Sequence, residues 1–316
     1  MISAPGSTIG IVGGGQLGRM LAMAAARLGY QCHIYAPDQA PPAAEVAARF
    51  TRGAWDDEAS LAAFGREVDV ATYEFENIAA APLAALAAEA PLHPPAAALA
   101  IAQDRLTEKG FVADLGGRTP AYRAVDSRAG LDRALVELGV PAVLKTRRFG
   151  YDGKGQGRIP APDDAEAAWS AVRGAPSILE AFVDFQAEVS ILLCRGAGGE
   201  TVLWPSPRNV HQGGVLRCSQ VPAEGVVDQL VEAEALARRV ADRLDYVGVL
   251  ALEFFVTAEG PLFNEMAPRV HNSGHWTIEG SVTSQFENHI RAICGLPLGS
   301  TALTGARVEM ENLIGN

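Results

Sequence analysis

The sequence lacks a basic balance. Over 316 residues it carries 26 Lys and Arg against 37 Asp and Glu, a formal net charge of −11. A chain of that sign has no footprint for a polyanion, which argues against nucleic-acid binding. It leaves room for a phosphorylated small molecule, which a few local Arg and Lys residues suffice to hold. Cysteine is also scarce. Cys32, Cys194, Cys218 and Cys294 lie far apart and form no C-x-x-C pair, so neither a disulfide framework nor a thiolate zinc site is expected. The six histidines show no H-E-x-x-H spacing. No apolar run is long enough to cross a bilayer, and the opening "MISAPGS" has neither a basic n-region nor an apolar h-region. The expectation is a cytoplasmic protein with no membrane partner. No internal repeat is visible.

Against these absences stands a hydrophobic fraction of 48%, enough for a sizeable core, in a chain whose length suits about two domains. The N-terminal part reads as a β-turn-α-β unit. Ile9 to Val12 is a buried strand, Gln16 to Leu28 a helix ended by Gly29, and "YQCHIYA" a second strand followed by Asp38. "DVATYEF", residues 69–75, is another buried strand. The Ala-rich stretch from Ala79 to Ala102, broken by Pro82, Pro91, Pro94 and Pro95, fits short packed helices better than disorder. A second region begins near Gln103. "QDRLTEKGFVADLG" is a helix, "PAVLKT" a strand, and "APDDAEAAWSAV" a helix with Asp163 or Asp164 as N-cap. "SILEAFV" and "EVSILLC" are strands, and residues 227–246 form one long amphipathic helix. "VGVLALEFFV" and "GPLFNEMAP" are strands around a turn, and a last helix covers "VTSQFENHIRAICG".

Gly13, Gly15 and Gly18 stand in a G-x-G-x-x-G spacing after the first strand, which suits a dinucleotide. Other residues point elsewhere. Glu253 sits in "VLALEFFV" among apolar neighbours, and an ionised carboxylate is costly to bury unpaired. A hairpin centred at Glu259 would set Glu253 directly opposite Glu265. Like charges so placed repel unless a hard cation lies between them. Two carboxylates with the Asn264 amide oxygen, and room for phosphate oxygens, suit Mg²⁺. The bland alternative is a strand-end Glu reaching solvent. Lys145 closes the apolar strand "AVLK" and precedes Gly150, Gly153, Gly155 and Gly157. A strand-end Lys beside a glycine loop suits a nucleoside triphosphate, although the spacing is neither that of a Walker A loop nor that of a kinase. The glycines alone would also fit a surface turn. Glu180 closes "SILE" and Glu188 follows a short turn; a strand running into such a hinge offers backbone groups to adenine and a carboxylate to ribose hydroxyls. "EMAPRVHNSGHW" follows the carboxylate strand with Arg269, His271, Asn272 and Ser273, where Arg suits an anion. His275 and Trp276 are expected to pack.

Taken together, Lys145, "GYDGKGQG", the Glu253 and Glu265 pair and "NEMAPRVHNSGHW" resemble the ATP-grasp ligases, and within them the N5-carboxyaminoimidazole ribonucleotide synthetases of purine biosynthesis. "GGGQLGRML", "DRLTEKGF", "VHQGGVLR", "YVGVLALEFFV" and "SQFENHIRAI" agree with the same family, from about Thr8 to the final "ENLIGN". The resemblance implies an α/β and α+β chain. Residues 1–103 would form a Rossmann-like pre-ATP-grasp domain, and residues 104–316 an ATP-grasp domain with a lid subdomain over 120–185.

The implied reaction is ATP-dependent carboxylation of 5-aminoimidazole ribonucleotide (AIR) by bicarbonate through carboxyphosphate, with ATP and Mg²⁺ as cofactors and a homodimer as the assembly. Arg105 and Lys145 would contact the phosphates, and Phe149, Gly150, Tyr151, Asp152, Gly153, Lys154 and Gly155 would form the flexible lid. Glu180, Ala181, Phe182 and Val183 would hold adenine and Glu188 the ribose, with His211 and Asn264 also at the nucleotide. Glu253 and Glu265 would bind Mg²⁺. Tyr151, Asp152, Lys154, Arg269, His271 and Asn272 would surround bicarbonate and AIR, with Ser273 beside them. Gly15, Gln16 and Leu17 would offer backbone N–H groups to the acceptor's phosphate. Glu74 or Glu76 would face the imidazole, the choice between them being open. The family normally continues past "NLIG" with a basic segment, whereas this sequence stops at Asn316. Three other readings remain in view: a nicotinamide- or flavin-dependent oxidoreductase built on the first glycine turn, another ATP-grasp ligase, and a nucleotide-binding module without activity.

Overall fold

The structure is a computed structural model, and the residues it describes are 2–150 and 155–313. Its N-terminal part is a four-stranded parallel sheet built from β1 (Thr8–Val12), β2 (Gln31–Ala36), β3 (Arg49–Arg52) and β4 (Val70–Tyr73), in the order β3-β2-β1-β4. Ile9, Ile11, Val12, Ile34, Val70 and Ala71 are buried, the continuous apolar pattern of strands covered on both faces. Helix α1 (Gln16–Arg27) covers one face. Helices α2 (Glu58–Gly65) and α3 (Ala80–Ala87) pair on the other, followed by α4 (Ala96–Ala102). The Ala-rich stretch is thus two short helices, as its helical spacing implied. The 69–75 strand stops at Tyr73.

Helix α5 (Arg105–Asp114) leads to a second, antiparallel sheet in the order β5-β8-β6-β7. Its strands are β5 (Tyr122–Val125), β6 (Ala142–Thr146), β7 (Gln156–Ile159) and β8 (Ser177–Ala181). Helices α6 (Arg128–Leu138) and α7 (Ala165–Ala171) close a separate core of Val125, Leu131, Leu144, Ile159 and Leu179 beneath it. Asp164 does not cap α7 with its side chain. Its carboxylate accepts from Ala161 N at 3.0 Å and so closes the short turn before that helix.

The largest sheet has seven strands, all antiparallel, in the order β14-β13-β9-β11-β12-β15 with β10 on β9. It comprises β9 (Ala187–Arg195), β10 (Thr201–Leu203), β11 (Arg208–Gln212), β12 (Val215–Val221), β13 (Gly248–Thr257), β14 (Gly260–Ala267) and β15 (Val308–Glu311). Helix α8 (Val231–Arg243) packs against it. The expected long helix over 227–246 is shorter, because residues 227–229 form a separate 3-10 turn and Asp245 takes a positive φ of 46°. After α9 (Thr277–Gly280), α10 (Gln285–Ile293) begins where Ser284 Oγ accepts from Glu287 N at 3.1 Å. Helices α1 and α10 pack together, so a single cluster from Ile9 and Leu21 through Phe286 and Ile290 to Leu192 and Val249 joins the first sheet to the largest one.

Candidate functional site

The β13–β14 hairpin sets the centre of the site. Its turn pairs Thr257 with Gly260, which puts the centre half a residue before Glu259. With that register unbroken, Glu253 would not face Glu265. A β-bulge restores the pairing: Phe254 faces Phe263 and Glu253 faces Glu265, with Asn264 as the extra residue. Bulges re-aim side chains, and here Glu253, Asn264 and Glu265 all reach the same cavity of about 600 Å³. Arg105, Lys145, Gly150, Glu180, Ala181, Phe182, Val183, Glu188, His211, His271 and Asn272 line it as well. Its apolar walls are Val143, Phe182, Phe185, Leu216 and Phe255, with the Phe185 and Phe255 rings stacked at 4.9 Å. Apolar and aromatic walls together with Arg105, Lys145, Glu253 and Glu265 make a cavity with a place for a planar base and a place for phosphates.

The two opposed carboxylates are not equivalent. Burial pushes Glu253 up, and the charge of Glu265 adds to the effect. Burial acts on Glu265 in the same sense, but Arg105 and Lys145 outweigh it and hold Glu265 low. The Arg105 guanidinium lies 2.8 Å from Glu265 Oε2. Among the described residues no three His, Cys, Asp or Glu side chains are grouped to hold a metal ion. Two carboxylates and the Asn264 amide oxygen form an all-oxygen set that fits Mg²⁺ once phosphate oxygens complete it. Near this pair, His211 Nδ1 contacts Glu188 Oε2 closely. Burial lowers the pKa of His211, yet the bond to Glu188 and the carboxylates of Glu253 and Glu265 raise it above the usual imidazole value.

The strand ends supply the remaining groups differently from a sequence reading. The Glu180 carboxylate is engaged by two lysines. One oxygen accepts from Lys145 Nζ at 2.8 Å, the other lies 3.1 Å from Lys109 Nζ, and the side chain is 3% exposed. The 180–183 segment offers a base its backbone and the exposed Phe182 side chain, not the Glu180 carboxylate. Phe149 and Gly155 sit at the two ends of the glycine loop with φ of 61° and 71°, and Phe149 is exposed. Tyr151, Asp152, Gly153 and Lys154 lie outside the described residues. Arg147 and Arg148, which precede Phe149, both reach the Asp104 carboxylate, at 3.0 and 3.3 Å.

Arg269 stands apart from the cavity wall, with Nε 2.9 Å from Glu76 Oε1 across to the N-terminal part. The contact is poorly aligned for a hydrogen bond, so it counts as an ion pair. Glu74 Oε1 accepts from Gly15 N at 2.6 Å. Gly13 (φ 135°) leaves room for it, since a Cβ there would meet Glu74 Cγ at 2.3 Å. A carboxylate of the chain itself thus reaches the first glycine turn. The backbone N–H of Gly15 is engaged by Glu74, and Gln16 and Leu17 begin α1 beside it. Burial raises the Glu74 pKa against the opposing bond from Gly15 and the charge of Arg269.

His271 is partly buried, and burial together with Arg269 lowers its pKa to about 3. Its Nδ1 lies 2.8 Å from Ser273 Oγ, 3.4 Å from Ser273 N and 3.8 Å from Glu253 Oε1. Ser273 is fully buried beneath it. Gln285 holds the same loop by two bonds to the His271 backbone, 3.0 Å to N and 2.6 Å to O. Asn272 Oδ1, His275 Nε2 and Tyr73 Oη are buried without a hydrogen-bond partner. Tyr73, His275, Gln285, Asp104 and Lys109 were not expected at the site. A Lys four residues after Arg105 on a buried helix face was the one signal available for any of them.

Two domain families match the chain: the ribonucleotide synthetase pre-ATP-grasp domain over residues 6–103 and the ATP-grasp domain over residues 110–286. Fold and site thus define an ATP-grasp enzyme. N5-carboxyaminoimidazole ribonucleotide synthase of Brucella melitensis is 51% identical over 315 residues, covering 99% of this chain and 87% of that protein. The Staphylococcus aureus N5-carboxyaminoimidazole synthetase solved with ADP superposes with a TM-score of 0.93 at 35% identity, covering 98% of this chain and 83% of its own. The Aspergillus clavatus synthase solved with ADP and AIR gives 0.91 at 29% identity, covering 99% and 83%. The chain belongs to the N5-carboxyaminoimidazole ribonucleotide synthase family, ATP-dependent ligases of purine biosynthesis. The oxidoreductase reading of the first glycine turn is set aside.

Proposed function

We propose that the chain carboxylates AIR with bicarbonate and ATP in this cavity, and that the bulged Glu253–Asn264–Glu265 set opposite Arg105 and Lys145 is the phosphoryl-transfer centre. That one observation carries the reading: two opposed carboxylates, an amide oxygen and two cations converge on one cavity, a set that a metal-bound polyphosphate would satisfy. Glu253, Asn264 and Glu265 would hold Mg²⁺, which when bound neutralises charge on the transferring phosphoryl group. Arg105 and Lys145 hold phosphate oxygens, and the apolar wall of Phe182, Phe185 and Phe255 holds the base. Bicarbonate is a poor electrophile. Its oxygen attacks the γ-phosphorus, ADP leaves, and carboxyphosphate is the activated carboxyl donor. The AIR amine then takes the carboxyl group, and phosphate leaves.

The residues Arg269, His271 and Asn272 serve the second half of this sequence. His271 and Asn272 line the cavity, and Arg269 pairs with Glu76. Glu76, paired to Arg269, is the better placed of the two N-terminal carboxylates to face the acceptor, because Glu74 is engaged by Gly15. Tyr151, Asp152 and Lys154 complete the lid in this proposal. Residues 1–103 and 104–316 act as its two domains, with the lid over 120–185. A homodimer is supported by family likeness and by the exposed apolar Ile278 and Val282, which sedimentation can check. Buried free thiols at Cys32, Cys194 and Cys294 support a cytoplasmic setting. A coupled ADP assay with AIR and bicarbonate varied separately tests the reaction: ADP release should require both. NADH binding without ATP binding would sink it.

A further inference from the structure

Lys109 is fully buried and does not line the cavity. Removing an ammonium from water costs several kcal/mol unless charge and hydrogen bonds compensate it. Its compensation comes from the nucleotide site. Nζ lies 3.1 Å from Glu180 Oε1 and donates to the Asn264 carbonyl at 3.1 Å. The other oxygen of Glu180 accepts from Lys145 Nζ at 2.8 Å, and Lys145 also reaches Asn264 Oδ1 at 3.4 Å. One carboxylate therefore serves two lysines, one behind it in the core and one facing the cavity. Next to Lys109 on α5, Glu108 Oε1 accepts from Met266 N at 2.7 Å, so consecutive residues of one helical turn hold β14 at its bulge and two residues beyond.

A lone Lys145–Glu180 pair would be a closed, neutral ion pair, and Lys145 would have to give up a full carboxylate to hold a phosphate. With Lys109 on the far oxygen, the carboxylate is shared and the cluster keeps a net positive charge that faces the cavity through Lys145. We propose that Lys109 is a positioning residue of the nucleotide site: by sharing the Glu180 carboxylate, it keeps Lys145 available to the nucleotide's phosphates. This rests on the reading of the cavity as an adenine-nucleotide site.

The test is calorimetric binding of ADP and of adenosine to the whole chain, wild type and Lys109→Met. Loss of the shared charge should weaken ADP roughly tenfold or more, one charge-assisted contact, and leave adenosine within about twofold. Adding Glu180→Gln to Lys109→Met should recover most of the ADP affinity, because no carboxylate is left to capture Lys145. Equal losses for both ligands, no loss for either, or no recovery in the double variant would overturn the proposal. If Lys109→Met is too unstable to purify, Lys109→Met is compared with its parent in the Glu180→Gln background. There an ADP change below about twofold supports sharing, and a tenfold loss overturns it. Wild type that binds neither ligand overturns the nucleotide reading and this inference together. Wild type that binds both while Lys109→Met is unchanged overturns the inference alone.

Discussion

Glu265 is the residue on which the chemistry depends most. It faces Glu253 across the hairpin and is held ionised against burial by Arg105 and Lys145. Glu265→Gln keeps the shape and removes the charge. Turnover dependent on Mg²⁺ should fall by about 3 kcal/mol of transition-state stabilisation, roughly 100-fold, with circular dichroism unchanged. Unchanged turnover would take Glu265 out of the centre. The pair was legible in the sequence because an isolated carboxylate in an apolar strand needs a reason. The side chain of Glu180 was not: its orientation depends on Lys109 and Lys145, which reach it from two other elements. The same holds for Glu74, whose carboxylate fills the glycine turn only because β4 lies next to β1.

Elements place these residues by local rules that are partly readable. Helix α5 starts where Asp104 accepts from Leu106 N at 3.0 Å, and its first turns carry Arg105, Glu108 and Lys109 towards β14. The same Asp104 binds Arg147 and Arg148 at the base of the glycine loop. Asp104→Ala should lower stability by about 1 kcal/mol as a lost cap, and more if the two arginines are left without their carboxylate. Urea denaturation checks the first effect. Limited proteolysis within residues 149–155 checks the second and should be faster in the variant. The bulge at Asn264 was beyond a hairpin count by centre alone, since one extra residue in one strand leaves no mark in composition or periodicity.

At the scale of the molecule, the first sheet and the largest sheet share one core through α1 and α10. His289, fully buried on α10, ties both: Nδ1 accepts from Val249 N at 3.1 Å and Nε2 lies 2.9 Å from Thr72 Oγ1 on β4. Nε2 therefore carries the proton, and a Cβ at Gly248 would meet the ring at 3.0 Å. Burial, with His93 nearby, lowers the imidazole to about 3. Above the unfolded pKa near 6.5 both states are neutral. Below it the unfolded state binds a proton that the folded state refuses, so this residue's contribution to stability falls as pH falls. His289→Gln should thus destabilise the protein at pH 7.5, with a deficit smaller by up to about 2 kcal/mol at pH 5, read from urea midpoints at both values. A deficit independent of pH would contradict a neutral buried imidazole. This joint between sheets was not visible in the sequence, where Thr72 and His289 lie 217 positions apart. The two-region organisation was visible, because a parallel β-α-β pattern gives way to longer antiparallel runs.

The central claim is that this site activates bicarbonate by phosphorylation. The direct measurement is the fate of oxygen from ¹⁸O-labelled bicarbonate in a reaction with ATP, Mg²⁺ and AIR. Phosphate released with one labelled oxygen, transferred when bicarbonate attacks the γ-phosphorus, is the predicted result. Unlabelled phosphate formed together with carboxylated product would contradict it.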